Sequence, residues 1–127
     1  MYVDPSGLVG EKISIDGLAW LNLPGDREPL LAGKVTLIRW WTDGCPYCAT
    51  SLPAIERIRE RFADRGLQTI AVYHPKPPRD VAAERVLQQA KNIGYDGWVA
   101  SDLQWGTLTK LVPNIHSRRS TSMTFVV

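Results

Sequence analysis

The sequence predicts an α/β fold with a parallel pair of strands at its centre. Residues 35–41 (VTLIRWW) form a β-rich apolar run, the pattern of a central strand that is buried on both faces. Residues 67–73 (LQTIAVY) predict a second strand, and an amphipathic segment of helical period lies between the two. Strands that alternate with helices indicate an α/β fold, in which this strand, helix and strand form one right-handed unit.

The segment before this unit is rich in glycine and proline, and its apolar residues lack a helical period. We therefore expect short extended pieces and turns over residues 1–33, with one turn at residues 23–26.

The helix after the first strand is predicted to begin at Cys45-Pro46 and to run to about residue 65. Proline suits the first helical position because that position's N–H has no partner within the helix. Gly66 is a natural stop, and Pro53 is expected to kink the helix. The charged residues, Glu56 among them, are expected on a solvated face, and the apolar face carries Leu52, Ile55, Ile58 and Phe62.

Four further elements are expected downstream. A second amphipathic helix should cover about residues 80–93 and end at Gly94. A short strand at residues 98–100, a short helix at residues 105–111 and a final strand at residues 123–127 follow.

Composition limits the classes of function. The chain has 127 residues, 44% hydrophobic and 22% charged, which suits one globular domain and excludes intrinsic disorder. The formal net charge of +2 gives no electrostatic case for nucleic acid or an anionic membrane as partner. No apolar run is long enough to span a bilayer or to form the core of a signal peptide. With only two cysteines, the chain is not a disulfide scaffold.

Both cysteines lie in one motif, Cys45-Pro46-Tyr47-Cys48, between a predicted strand and a predicted helix. Cys45 would lie at the helix N-terminus, where the macrodipole and free N–H groups stabilise a thiolate and lower its pKa. Cys48 lies one turn further in and should be more covered. Two intervening residues let the sulfurs join in a reducible ring. We therefore expect thiol–disulfide exchange, with Cys45 as the nucleophile and Cys48 as the resolving thiol.

The motif and its surroundings resemble the TlpA/ResA-type thioredoxin-like proteins of the redoxin group. The resemblance is carried by residues 40–48, by residues 51–55 and by Gly33-Lys34-Val35 before the first strand. Residues 122–127 resemble the strand that carries the family's cis-proline.

This resemblance implies a thioredoxin-like fold, with a central mixed sheet flanked by helices. It implies a single domain over residues 1–127, with residues 1–33 as an N-terminal extension and residues 34–127 as the core. Beyond the strand at residues 123–127, the family continues with one more strand and a helix. The sequence does not include these two elements. Either the sequence is truncated, or a second copy of the chain covers the open edge in a homo-oligomer.

The resemblance also implies protein thiols and disulfides as partners, with no cofactor and no bound metal. In many relatives it implies an extracytoplasmic (periplasmic) location, whereas the absence of a signal in this sequence allows a cytoplasmic one.

Several residues around the motif are expected to support it. Trp41 takes the position of the family's tryptophan, so we expect it beside the cysteines and on the surface that meets a partner. Met123 stands at the cis-proline position, in the loop that faces the motif, and Thr124 follows it. Pro46 stiffens the turn and removes one N–H that could stabilise the thiolate, and Tyr47 completes the motif.

Charged groups near the motif depart from the family pattern. Arg39 stands where thioredoxin has a buried aspartate, and a cation there would favour the Cys45 thiolate if it points toward the sulfurs. Ser51 stands where ResA-like members often carry a glutamate. Asp43 is therefore the only nearby carboxylate in sequence.

Other readings of the two thiols remain open. One is a thiol peroxidase of the redoxin superfamily. Another is a non-enzymatic metal or haem chaperone, or an interaction module with vestigial thiols. A zinc site would need two further ligands, and only His74 and His116 are histidines. We expect both histidines to be loop residues, His74 a solvated one, and Trp105 is a candidate surface contact.

Overall fold

The computed structural model describes residues 13–23, 33–119 and 121–127. A five-stranded sheet forms its centre, with the strand order β1-β4-β3-β2-β5. The strands are β1 (Ala19–Trp20), β2 (Thr36–Trp41), β3 (Gln68–Tyr73), β4 (Trp98–Ser101) and β5 (Thr124–Val126). The helices are α1 (Pro46–Phe62), α2 (Ala83–Ile93) and α3 (Gly106–Leu111), with 3₁₀ turns at Ala63–Arg65 and Ile115–Ser117.

The sheet is mixed, as predicted. Strands β2, β3 and β4 run parallel, whereas β1 is antiparallel to β4 and β5 is antiparallel to β2. The predicted unit of strand, helix and parallel strand is confirmed as β2, α1 and β3. The predicted turn at residues 23–26 and the start of the N-terminal extension fall largely outside the described residues. The extent of that extension therefore stays a prediction.

Helix α1 begins where the local signals indicate, and it ends at Phe62, three residues before the predicted end. Pro46 occupies the first helical position, and the side chain of Cys45 caps the helix. The helix continues through Pro53 and is followed by a 3₁₀ turn that closes at Gly66, whose φ of 86° lies in the left-handed region that favours glycine.

One prediction about α1 is wrong. Glu56 does not lie on a solvated face, because only 7% of its surface is exposed. Its carboxylate pairs with Arg59 and accepts a hydrogen bond from the Asp96 N–H at 2.9 Å. Burial raises the pKa of Glu56, but the bonds from Arg59 and the Asp96 backbone outweigh burial, so the net pKa is lowered.

Two apolar layers lie on opposite faces of the sheet. The layer that includes α3 contains Ile38, Trp40, Ile70, Val72, Trp105, Leu108 and Ile115. The layer that includes α1 and α2 contains Trp41, Cys48, Leu52, Ile55, Ala71, Tyr73, Val86 and Ala90. Because side chains alternate along a strand, neighbouring residues such as Trp40 and Trp41 enter different layers. Among the described residues, no helix has both the length and the apolar character needed to cross a membrane.

Candidate functional site

The two cysteines lie at the edge of the sheet where β2 and β3 end. Trp41 and Tyr73 are the last residues of these strands and pair in the parallel register. The turn that follows β2 contains Gly44, with a φ of 72°, and leads directly into α1. The carboxyl ends of parallel strands commonly carry the sites of α/β proteins, and this edge therefore holds the motif.

The two thiols have different environments. Cys45 is partly exposed, whereas Cys48 is completely buried. The Cys45 Sγ accepts a hydrogen bond from the Cys48 N–H at 3.3 Å, which is the capping bond of α1. The thiols are also close enough to share a hydrogen bond with each other.

These environments shift the two pKa values in opposite directions. Burial raises the pKa of Cys45, but hydrogen bonds from the Cys48 side chain, from the backbone of Cys48 and Tyr47 and from Ser122 outweigh it, so the net pKa is lowered. Burial and the bond to Cys45 both raise the pKa of Cys48, and its net pKa is raised. At neutral pH, the partly exposed sulfur is therefore the better nucleophile of the pair.

The loop before β5 faces the motif, as the resemblance implied, but Ser122 is the residue that makes the contact. The Cys48 thiol donates to the Ser122 hydroxyl at 3.4 Å. Met123 packs against the layer that contains Trp40, and its carbonyl accepts from the Trp40 N–H at 2.8 Å. Thr124 lies opposite Arg39 in the strand register. Sequence reasoning missed Ser122, whose only signal was its place one residue before Met123.

Arg39 lies beside the cysteines but is held by the facing strand. Its guanidinium Nη1 donates to the Ser122 carbonyl at 3.1 Å and to the Thr124 hydroxyl at 3.2 Å. The bonds that lower the pKa of Cys45 come from the backbone, from Cys48 and from Ser122. Arg39 thus anchors the Ser122 loop, and both Arg39 and Cys45 line the same groove.

Asp43 is tied to the second strand end. Its Oδ1 accepts a hydrogen bond from the Tyr73 hydroxyl at 2.9 Å and lies 3.9 Å from the Arg79 guanidinium. Burial, followed by the bond to Asp43, raises the pKa of Tyr73 to about 12. Asp43 therefore joins the turn before Cys45 to the end of β3.

Trp41 and His74 support the site from within. Trp41 has no exposed surface and packs edge-on against Tyr73 with 5.0 Å between ring centroids, so it does not form partner surface as expected. His74 is also fully buried, which makes the prediction of a solvated loop histidine wrong. Its Nδ1 donates to the Trp41 carbonyl at 2.8 Å, and its Nε2 accepts from the Thr121 hydroxyl at 2.9 Å. Burial lowers the pKa of His74 to about 4, so the ring is neutral at neutral pH.

Cys45 opens onto a groove of about 700 Å³. Tyr47 projects beside it with 80% of its surface exposed. The groove is lined by Arg39, Thr42, Asp43, Gly44, Cys45, Tyr47, Lys76, Arg119, Thr121 and Ser122. The partly exposed Cys45 sulfur therefore faces an open groove.

The second histidine, His116, lies against Trp105 rather than against the cysteines. His116 stacks on Trp105 with 4.9 Å between ring centroids, and Trp105 is only 4% exposed, so it is not the surface contact expected of it. Within the described part of the chain, no three His, Cys, Asp or Glu side chains are grouped so as to hold a metal ion.

Comparison with known proteins gives the family. The model described as Redoxin matches residues 27–113, which is more than half of the chain. The chain belongs to the Redoxin family. The resemblance predicted from the motif is thereby confirmed.

This Redoxin chain is similar to part of two curated proteins. It is 32% identical over 83 residues to the thiol-disulfide oxidoreductase YkuV of Bacillus subtilis, an alignment that covers 65% of this chain and 51% of YkuV. It is 32% identical over 93 residues to the protein DipZ of Mycobacterium bovis, covering 71% of this chain and 13% of DipZ. The chain thus spans about half the length of the first relative and a small part of the second.

Solved structures confirm the predicted thioredoxin-like fold of this Redoxin. A thioredoxin-like protein solved in its oxidised form matches with a TM-score of 0.64 at 25% identity, covering 85% of this chain and 69% of the other. A thiol-disulfide isomerase from Corynebacterium glutamicum matches with a TM-score of 0.62 at 19% identity, covering 85% and 72% of the two chains.

Proposed function

We propose that this chain is a thiol–disulfide oxidoreductase that exchanges disulfides with protein partners through Cys45 and Cys48. One observation carries the proposal. A partly exposed thiol of lowered pKa lies at a helix N-terminus, within hydrogen-bonding distance of a buried thiol of raised pKa. The Redoxin family membership and the name of the relative YkuV support the same reaction type.

The reaction transfers two electrons to a partner disulfide. The Cys45 thiolate attacks one partner sulfur, so the partner's S–S bond breaks and a mixed disulfide forms. The departing partner sulfur takes up a proton. Cys48 then loses its proton and attacks the Cys45 sulfur, which closes the Cys45–Cys48 disulfide and releases the second partner thiol. The dithiol is oxidised, and the partner disulfide becomes two thiols.

The order of attack follows from access. Cys45 is the nucleophile because it is the partly exposed sulfur and carries the lowered pKa. Cys48 is completely buried and meets only a sulfur that Cys45 has already brought in. Pro46, Asp43, Arg39 and Ser122 position the turn and the facing loop, and Tyr47 offers an exposed ring to the partner. A stabilised Cys45 thiolate also favours the dithiol state and shifts the pair toward oxidant behaviour, in which the same steps run in reverse and a partner dithiol is oxidised to its disulfide.

Trapping the mixed disulfide tests the proposal. Reduced Cys48→Ser chain is mixed with a peptide that contains a single disulfide, and intact-mass spectrometry follows the products. We expect a persistent adduct with Cys48→Ser, a transient adduct followed by the internal disulfide with the unaltered chain, and no adduct with Cys45→Ser. Equal adduct formation by Cys45→Ser would overturn the assignment of roles.

The same experiment distinguishes a thiol–disulfide oxidoreductase from a thiol peroxidase. Reduced chain is mixed in parallel with hydrogen peroxide at the concentration of the peptide disulfide. We expect the peptide to oxidise the pair faster. Faster oxidation by peroxide would identify a thiol peroxidase instead, and no reaction with either compound would favour a binding module.

A second copy of the chain along β5 stays a prediction. Strand β5 is an outer strand of the described sheet, and 67% of Val126 is exposed. Unpaired strand edges readily accept another strand. Sedimentation velocity of the unaltered chain and of Val126→Lys tests it: we expect a dimer that the lysine dissociates, and a monomer in both would exclude it.

A further inference from the structure

The groove beside Cys45 carries more positive than negative charge. Among its lining residues, Arg39, Lys76 and Arg119 are cations and Asp43 is the only carboxylate. We propose that this groove selects partner disulfides whose flanking residues are acidic. The inference rests on the proposed function, because it names the class of partner that the same site takes.

The one carboxylate of the groove does not offset these cations. The Asp43 Oδ1 lies 3.9 Å from the Arg79 guanidinium, so a further cation already faces its charge. The same oxygen accepts the Tyr73 hydroxyl at 2.9 Å. An acidic partner residue therefore meets little repulsion from Asp43.

Two of the three cations are bound to backbone carbonyl groups of residues that line the groove. The Lys76 ammonium donates to the Arg119 carbonyl at 3.2 Å, and both residues lie on the exposed rim of the groove. Arg39 is bound to the carbonyl of Ser122, the residue whose hydroxyl contacts the Cys48 thiol. A disulfide that reaches Cys45 thus brings its neighbouring residues against these charges.

The charge of the whole chain cannot supply this preference. The formal net charge is only +2 in 127 residues, so any strong selection must come from the local arrangement of charges. Clefts lined by one sign of charge raise the local concentration of the opposite charge and increase association rates. Salt shortens the distance over which charges interact, from about 30 Å at 0.01 M to about 3 Å at 1 M. The selection must therefore weaken as salt is added.

Single-turnover kinetics test the proposal. Three peptides share one disulfide and differ only in two flanking residues, which are both Glu, both Gln or both Lys. Excess reduced chain is mixed with each peptide, so the Cys45–Cys48 pair supplies both electrons and no other reductant is needed. At about 10 mM salt we expect the Glu peptide to react at least about tenfold faster than the Lys peptide. Near 1 M salt the ratio should fall toward one.

Substitutions test whether the exposed cations of the groove cause the preference for acidic peptides. The double variant Lys76→Gln/Arg119→Gln should reduce the Glu-to-Lys rate ratio severalfold. The matched control Lys91→Gln/Lys110→Gln removes two exposed cations, in the last turns of α2 and α3, and should keep the ratio of the unaltered chain.

The outcomes separate this inference from the proposed function. Equal rates for the three peptides, or a ratio that the double variant and the control change alike, would overturn the selection of acidic partners and leave the exchange reaction standing. No reaction with any peptide, with the thiols shown to be reduced, would overturn the exchange reaction itself.

Discussion

Cys45 and Cys48 are the same amino acid three positions apart, yet the fold gives them different chemistry. The Cys45 sulfur caps α1 and accepts hydrogen bonds from backbone N–H groups. Cys48 lies inside the apolar layer with Leu52 and Tyr73. A hydrogen bond that the sulfur accepts favours the charged form of a thiol, whereas burial, or a bond that the thiol itself donates, disfavours it. In the proposed exchange, the balance of these effects at each cysteine determines which sulfur is the nucleophile.

The first prediction concerns the pH dependence of Cys45. The rate of alkylation by iodoacetamide should rise with a midpoint below 9.0, the ordinary value for the thiol, because hydrogen bonds lower its pKa. Ser122→Ala should move the midpoint upward, since the Ser122 bond is one of those that lower the pKa. Ser117→Ala, which removes an exposed hydroxyl in the 3₁₀ turn, should not move it. A midpoint unaffected by Ser122→Ala would contradict the role of this contact.

The second prediction concerns acid stability and His74. Its pKa is about 4 in the folded chain and about 6.5 when unfolded, so between these values the unfolded chain binds more protons. The free energy of unfolding should therefore fall as the pH falls from 6.5 to 4, by up to about 3 kcal/mol from this residue.

Urea unfolding at pH 7 and pH 5 measures this effect. His74→Asn should lose stability at pH 7 but show a smaller drop between the two values than the unaltered chain. Gln88→Ala, which alters an exposed uncharged side chain of α2, should show the full drop. An identical drop in all three chains would exclude His74 as its source.

Elements whose signals lie within a few residues could be predicted from the sequence. The apolar run of β2, the proline at the start of α1 and the glycines that close α1 and α2 are all local features, and the structure contains each of them. Contacts between distant segments could not be predicted. Ser122 meets Cys48 across 74 positions, because β5 pairs with β2, and Glu56 meets the Asp96 N–H across 40. His74 did carry a signal, since it follows β3 at the edge where the motif lies.

The third prediction concerns the start of α3. Asp102, 5% exposed, accepts hydrogen bonds from the Thr107 N–H at 3.1 Å, the Leu108 N–H at 2.8 Å and the Trp40 indole at 3.1 Å. Asp102→Ala leaves these buried donors without their acceptor and should lower the free energy of unfolding by about 3 kcal/mol. Asp64→Ala, at an exposed carboxylate, should change it by less than about 0.5 kcal/mol. Similar losses in both variants in urea would contradict the role of Asp102.

At the scale of the whole molecule, the described residues form two apolar layers on opposite faces of one sheet, and none of these residues belongs to both layers. Leu52 belongs to the layer of the sulfurs, and Leu108 belongs to the other. Residues without shared partners usually contribute independently to stability, whereas residues in contact do not.

The fourth prediction follows from this separation. Leu52→Ala and Leu108→Ala should each cost about 2–5 kcal/mol in urea unfolding. The double variant should cost the sum of the two within about 0.5 kcal/mol. As a comparison, Leu52→Ala combined with Ile55→Val, both within one layer, should depart from additivity. Strong coupling between Leu52 and Leu108 would show that the sheet transmits strain between its faces.

The division of the core has a consequence for how such a molecule can change over time. Substitutions beneath α3, away from the segment that carries Ser122, can change the melting temperature while the surroundings of the two cysteines stay the same. Evolution or protein engineering could therefore adapt this protein to a higher temperature without changing the reduction potential of its cysteine pair.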